Sequence, residues 1–439
     1  MKPRSLGTLL VVLALQAQWS DGEPVTFTKD LAPVVFRRCA GCHRPGGTGP
    51  FSLLTSEDLA KHAGQIVAVT KSGFMPPWLP EPGPLHFVDE ARLTPAEIGL
   101  FERWVEGGRI KGKAADLPPV PDFRAGWELG EPDLILKAPR PFILQAEGGD
   151  VYRNFVFRVP SGGPRYVRAL EIRPGAASVH HANLLLDRTR SVRHLDGADG
   201  QPGFAGMDVG IPASVADPES HFLFWKPGSR VVPEPAGMAW TLDGHGDLVL
   251  NMHLKPSGKP ETVQPSIGLY FTAEAPRILP VLVQLENDRA LDIPPGAANF
   301  VVSSEFVLPV DCDLTGIYPH AHYLGKDVAA TAILPGGHEQ TLLRIRRWDV
   351  TWQGVYRYRD PVFLPRGTRI LMRWVFDNSA ANPANPNHPP KRVRAGDQTT
   401  DEMAHLWLQL VPRGAGDQRA LIQEAVARHK LRLDPEDFT

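Results

Sequence analysis

The sequence predicts a multidomain chain, a small all-α unit followed by two all-β regions, and three observations predict it. At 439 residues the chain exceeds the usual domain size of about 100 to 200 residues, so no single core is expected. Its 44 prolines and 41 glycines are well above average usage and suit many short strands joined by turns. Helical patterns gather before residue 110, whereas apolar segments of strand length recur from Trp127 onward. The formal net charge of −2 leaves no electrostatic footprint for nucleic acid and no charged tail, so nucleic-acid binding is disfavoured.

Residues 1–22 read as an export signal: Lys2 and Arg4, the apolar run Leu6 to Leu15, then a polar stretch ending in Gly22-Glu23-Pro24. The apolar part is too short to span a bilayer comfortably. An uncleaved anchor is the alternative, because no clean small-x-small cleavage site lies near Ala17 to Ser20. Nothing later approaches transmembrane length. The expectation is a periplasmic or secreted protein with no integral membrane span in the mature chain.

An exported chain of this size could use disulfides, yet it has only Cys39, Cys42 and Cys312. Two of these sit in Cys39-Ala40-Gly41-Cys42-His43, the c-type haem attachment pattern, in which both thiols form thioethers and the histidine is placed as proximal iron ligand. A zinc site or a redox CxxC pair are the other readings of the spacing; no further cysteine lies nearby to complete a zinc site. The surroundings read as short helices: Phe27 to Arg38, with Thr28 as cap and Leu31, Val34 and Val35 inward, then Ser56 to Val69. A third helix opens at Thr94-Pro95-Ala96-Glu97 and stops at Gly107-Gly108. Between them, Phe74-Met75-Pro76-Pro77-Trp78 offers Met75 as sixth iron ligand, its loop stiffened by two prolines. His62 and His86 are weaker candidates for that position.

Residues 25–115 resemble a class I cytochrome c, on the strength of CAGCH, the FMPPW loop and the LTPAEIGLFERWVEGG helix. The resemblance implies haem c bound through Cys39, Cys42, His43 and Met75. A proline-rich linker, 116–124, marks the boundary with Leu117-Pro118-Pro119-Val120-Pro121.

In the next region, 125–275, strands are predicted at Tyr152 to Val159, Tyr166 to Ile172, Ala182 to Leu186, Leu248 to Leu254 and Ile267 to Thr272. Their spacing by Gly and Pro turns suggests a β-sandwich. Ser178-Val179-His180-His181-Ala182 carries two adjacent histidines, which on a regular strand face opposite ways, so joint ligation requires a strand end or a bulge. His253 lies in the apolar strand Leu248 to Leu254, with Met252 facing the other way. Taken alone, such a histidine is more often a hydrogen-bonded structural residue.

Region 276–412 carries strands at Phe306 to Val310, Leu314 to Tyr318, Val328 to Leu334, Ile370 to Phe376 and Ala404 to Val411. Within it, Tyr318-Pro319-His320-Ala321-His322 puts two histidines on one face of an extended strand, where they can clamp a metal ion, and Ala321 on the other; taken alone, the pair reads equally as two ordinary surface or core histidines. Met403, in Asp401-Glu402-Met403, supplies a soft thioether suited to Cu(I), so His320, His322 and Met403 describe a redox copper site open to oxygen. Cys312 reads as a buried structural thiol, and 413–439 as a C-terminal tail.

The order HH, strand His, HxH followed by LGK, then DEM resembles the copper type II, ascorbate-dependent monooxygenases, the family of the peptidylglycine alpha-hydroxylating and dopamine beta-monooxygenases. The likeness covers about residues 125 to 412. It implies two jelly-roll sandwiches with one copper each: His180, His181 and His253 holding an electron-transfer copper, and His320, His322 and Met403 the oxygen-binding, catalytic one. The chain departs from that pattern where the peptide-hydroxylating members grip a substrate carboxylate: Tyr318 replaces an arginine, and His405 and Trp407 replace asparagine and tyrosine. Nor can the disulfides of the animal enzymes form. The expectation is an exported haem and copper monooxygenase that hydroxylates a C–H bond of a small-molecule or peptide substrate with O2, its electrons coming from an external donor through haem c. A non-catalytic electron-transfer or copper-binding protein on the same scaffold is the alternative.

Overall fold

The computed structural model describes residues 23–121, 126–207, 209–211, 216–217, 221–396, 398–414 and 416–430. The export signal predicted for residues 1–22 lies outside them, as does part of the linker. The described chain is mostly β, arranged in jelly-roll-like sandwiches with few helices. No helix among the described residues is long and apolar enough to cross a membrane.

The N-terminal segments are Phe27–Leu31, wound as a π-helix, and the α-helices Ala32–Arg38, Ser56–Lys61, Ala63–Lys71 and Pro95–Glu106. Leu31, Val35, Leu59, Phe101 and Trp104 close a small core of their own. These helices are short, the longest having 12 residues, and an all-α cytochrome c domain is not evident from them. The first is capped by Thr26, whose hydroxyl accepts from Lys29 N–H, and not by Thr28, which is buried. The helix predicted over Ser56 to Val69 is broken at His62, where φ −114° and ψ 13° leave helical geometry. Thr94 and Glu97 form the full capping box that their spacing predicts, and Gly107 ends the helix.

The first β-region stacks two sheets on one core. One runs Leu134–Lys137, Ser266–Thr272, Arg165–Arg173, Trp240–Leu242; the other is centred on Asp247–Leu254, flanked by Val151–Arg158 and Val179–Asp187. Val167 and Leu269 from the one meet Phe155, Leu184 and Leu250 from the other. All eight residues of Asp247–Leu254 are buried, as expected of a central strand covered on both faces.

The second β-region repeats the plan with the sheets Val281–Glu286, His405–Pro412, Cys312–His320, Tyr356–Leu364 and Phe300–Val307, Arg369–Phe376, Gly325–Ile333, Glu339–Ile345. The strand predicted at Phe306 to Val310 begins earlier and ends at Val307. Cys312 is fully buried. The expected tail forms a helix, Asp417–Lys430, which seats Leu421 in the core of this region.

The helical region is docked, not merely tethered. Phe87 bridges to Tyr358 on the outermost strand of a sheet, Val88 N–H donates to Arg357 O, and Arg359 N–H donates to His86 O. Phe87 is 4% exposed and belongs to the core of the second β-region. The segment therefore covers an edge that would otherwise offer unpaired backbone groups.

Candidate metal centres

The first cluster forms where a strand pairing slips by one residue. His253 lies opposite His181, but the next pair is Leu254 with Val179, so His180 is the extra residue of a β-bulge. The bulge turns two adjacent side chains toward the same point, as adjacent-histidine ligation requires. His180 Nδ1 lies 3.2 Å from His181 Nδ1 and 3.2 Å from His253 Nδ1. Two nitrogens held at about 2.0 Å from one ion at a tetrahedral angle stand about 3.3 Å apart, so this spacing fits a shared metal.

The far side of His253 is fixed as well. Its Nε2 lies 2.8 Å from Asp150 Oδ2, and its ring stacks on Tyr152 with centroids 4.5 Å apart. A carboxylate behind a ligand histidine sets the tautomer and leaves the other nitrogen's lone pair for the metal. The hydrogen bond to His253 holds the Asp150 carboxyl below its ordinary value. Burial pushes His180 down to about 4 and His181 in the same direction, each reinforced by electrostatic repulsion from the neighbouring His253. Both rings are therefore neutral at pH 7, as ligation requires.

The second cluster sits at the end of the strand Cys312–His320. Ala321 turns into the core at 0% exposure, while His320 and His322 leave on the other side with ring centroids 5.3 Å apart and planes at 82°. Only His320 belongs to the strand; His322 lies in the turn before Gly325, so the pair clamps at a strand end. His320 Nδ1 lies 2.6 Å from Gln353 Oε1 and His322 Nδ1 lies 3.0 Å from Asp401 O. With both Nδ1–H groups donated to oxygen acceptors, Nε2 is the nitrogen each ring presents to a metal. Burial pushes His320 down to about 3.

Glu402 ties this turn to the loop of Met403. Its buried carboxylate accepts from the backbone N–H groups of His322 and Leu324, each at 2.7 Å, and of Met403 at 3.0 Å. Trp348 Nε1–H donates to His322 O. Met403 stands out in the Asp401-Glu402-Met403 motif, whereas Glu402, Gln353 and Asp150 have no role that their motifs announce. Asp150 and Glu402 adjoin strand ends or ligands and carry a faint signal; Gln353, 33 residues from His320, carries none.

Rings link the two clusters. Phe224 lies 5.7 Å from His181 and 5.2 Å from Tyr318, and Tyr318 lies 6.2 Å from His320 and 5.3 Å from Trp407. The Tyr318 hydroxyl meets Gln353 Oε1 at 3.1 Å.

The predicted haem ligands are placed in two groups. Cys39, Cys42 and His43 share one turn after the helix Ala32–Arg38, with His43 N–H donating to Cys39 O. His43 Nδ1 lies 3.1 Å from Phe51 O, which leaves Nε2 for iron. Cys39 and Cys42 are not bonded to each other, so both thiols remain for thioethers. Met75 sits on a separate loop, its N–H donating to Val69 O. The Cys42 turn lies against the first β-region: a Cβ on Gly228, whose φ is +80°, would stand 2.7 Å from Cys42 Sγ.

No family model matches the chain, and no curated protein matches it. Among solved structures it is similar to the major capsid protein P2 of bacteriophage PM2, at 9% identity and TM-score 0.24 over 64% of this chain and 98% of that one. It is also similar to PNGF-II, at 8% and 0.24 over 64% and 66%. A further similar structure is the N-terminal CBM22-1-CBM22-2 tandem domain of Paenibacillus barcinonensis Xyn10C, at 8% and 0.14 over 61% and 80%. Similarity this slight says nothing of what the present chain binds or does.

Proposed function

We propose that the chain is an exported haem- and copper-containing monooxygenase that hydroxylates a C–H bond with O2, built from a cytochrome c unit and two jelly-roll sandwiches. The observation that carries the reading is the convergence of three imidazole Nδ1 atoms, two of the pairs at 3.2 Å, at a β-bulge. It is joined by a second imidazole pair, His320 and His322, in the other sandwich. His180, His181 and His253 would hold one copper, and His320, His322 and Met403 the other; Cys39, Cys42, His43 and Met75 would hold haem c. Copper supplies oxygen activation and one-electron chemistry when bound, and haem c supplies an electron store.

The residues around the ligands do the positioning. Asp150 keeps the proton of His253 on Nε2, and Gln353 and the Asp401 carbonyl keep those of His320 and His322 on Nδ1. Glu402 locks the Met403 loop onto the histidine turn. Phe224, Tyr318 and Trp407 are in ring contact beside the centres, and with no arginine at position 318 they favour an uncharged, apolar or aromatic substrate over a peptide carboxylate.

The ring contacts His181–Phe224–Tyr318–His320 favour a second reading, an electron-transfer protein without turnover. Metal analysis and oxygen uptake separate the two. The monooxygenase reading expects two coppers per chain and uptake by the reduced protein that accelerates with a substrate and yields hydroxylated product. Two coppers with no substrate-dependent uptake across apolar and aromatic candidates leave the electron-transfer reading, and the absence of copper at both clusters overturns both.

A further inference from the structure

His405 lies outside both histidine clusters and belongs to a third group of donors. On adjacent antiparallel strands it is paired with Glu286, and residues paired across a sheet project from the same face. Asp288 opens the short turn Asp288–Ala290 that follows the strand Val281–Glu286. A strand end, a turn and a neighbouring strand thereby bring one imidazole and two carboxylates together, with one ligand atom from each within 4.8 Å of the others.

The contacts all fall on one nitrogen. His405 Nε2 lies 2.8 Å from Asp288 Oδ2 and 3.7 Å from Glu286 Oε2. The other ring nitrogen, Nδ1, is buried and has no hydrogen-bond partner, so what this ring binds lies on the Nε2 side. One N–H serves one carboxylate oxygen, and two carboxylates brought to one point repel each other; a divalent ion serves both oxygens and the nitrogen together. Donor atoms about 2.1 Å from a shared ion stand about 3.0 Å apart at 90° and about 3.6 Å apart at 120°, close to the two distances observed. Ligating carboxylates are themselves hydrogen-bonded, and these are: Gln284 Nε2–H donates to Glu286 Oε2 at 2.7 Å and Ala404 N–H to Asp288 Oδ1 at 3.4 Å. Trp374 Nε1–H donates to His405 O at 3.2 Å, and the Trp407 ring meets the His405 ring edge-on with centroids 5.1 Å apart. The side chains of His405 and Glu286 are 9% and 12% exposed and that of Asp288 is 34% exposed, so the group opens to solvent on the Asp288 side, where an ion can enter and keep water in its remaining positions.

We infer that Glu286, Asp288 and His405 form a third metal site, for a divalent cation of the manganese class, separate from the two histidine clusters. Two carboxylates and one imidazole are a harder, more oxygen-rich donor set than the imidazole and thioether groups of those clusters, and carboxylate with water suits manganese(II) where thioether suits Cu(I). The site stands whether or not the histidine clusters bind copper. Its ion would pin the turn Asp288–Ala290 to the first residue of the strand His405–Pro412, beside His320, whose ring centroid is 6.2 Å from that of His405.

Manganese(II) itself is the probe, added to the full chain. It is the weakest binder of the first-row divalent ions and prefers oxygen donors, so the histidine clusters do not compete for it, and the six-line paramagnetic resonance signal of the free ion disappears on binding. One manganese per chain is expected to bind, and the melting temperature to rise with it. Glu286→Gln and Asp288→Asn keep the side-chain shape and should each weaken binding at least as much as the loss of a supporting contact does, about 10- to 100-fold, while His320→Ala/His322→Ala leaves it level. Melting curves without metal report whether each variant is folded. If manganese at millimolar concentration leaves the signal and the melting temperature unchanged, or binds equally to the Glu286→Gln and Asp288→Asn variants, the site is refuted. If binding is lost instead in His320→Ala/His322→Ala, the ion belongs to that cluster and the inference falls likewise.

Discussion

Glu402 shows how much of the geometry of a histidine cluster is decided by residues outside it. Burial pushes its carboxyl up to about 8, against backbone N–H groups that pull it down. Glu402→Ala strands the N–H groups of His322, Leu324 and Met403, and at about 1–3 kcal/mol for each unsatisfied buried donor the expected loss is several kcal/mol. A melting temperature within a degree of the parent's would show that the carboxylate ties nothing. The histidines themselves give the metal-free protein a pH dependence. His180 titrates near 4 and His320 near 3 in the folded chain, against about 6.5 when unfolded. Between those values the unfolded chain binds more protons, so stability rises with pH there and is lost as pH falls from about 6.5 toward 3. Denaturant midpoints of the metal-free protein should drop between pH 7 and pH 5. The drop should be smaller in a His180→Ala/His320→Ala variant; an equal drop would place the dependence on other groups.

At the scale of elements, the strands were legible and their irregularities were not. Apolar runs of strand length and Gly or Pro punctuation located most of Asp247–Leu254 and Cys312–His320, because buried strands leave short apolar segments between turn residues. The helix at Pro95 was legible for a local reason, the Thr94/Glu97 box. The break at His62, the Thr26 cap and the terminal helix Asp417–Lys430 depend on what packs against them, and short windows carry no trace of that. The bulge at His180 was legible only as a condition: if both adjacent histidines bind, the strand must slip. That condition yields a test. Removing residue 180 altogether lets Val179 and His181 follow one another in regular register opposite Leu254 and His253. On the proposed dicopper reading, the expected product keeps its fold and copper at the His320/His322 cluster but binds none at the first, whereas His180→Ala keeps the bulge and weakens copper binding there. Hydrogen exchange at Leu254 and Val179 distinguishes them: protection should rise in the deletion and stay level in the alanine variant. If the deletion retains two coppers at parental affinity, the bulge is not what gathers the ligands.

At the scale of the whole molecule, the proline-rich linker suggests a helical unit held near the β-core by tethering alone, at a local concentration set by its reach. The structure adds a docked interface that the linker does not require. Trp78 packs against Tyr356 with centroids 5.3 Å apart, Glu81 N–H donates to Arg344 O, and the Glu81 carboxylate pairs with Arg346 at 2.7 Å. On the other side the Cys42 turn presses on Gly228. Next to Gly228 in that loop, Lys226 Nζ donates to Trp352 O, and the following residue, Gln353, holds His320. The Cys39–His43 turn, a loop of the first sandwich and the His320/His322 cluster are thus joined through consecutive contacts, with the His180/His181/His253 cluster farther along the Tyr318 and Phe224 rings. The sequence could not show this, because Phe87 and Tyr358 are 271 residues apart, by their numbers, and carry no shared motif. The consequence is mechanical and can be measured. A protease site placed within Leu117 to Pro121 and cleaved should leave the helical N-terminal fragment bound, co-eluting with the β-fragment on size exclusion at micromolar concentration. Removing a buried Phe side chain costs about 3–5 kcal/mol, so Phe87→Ala should release the fragment after cleavage, with a loss of affinity of 100-fold or more. If the unaltered fragment separates as soon as the linker is cut, the docking contacts are too weak to hold it and tethering alone keeps the helical unit near the two histidine clusters.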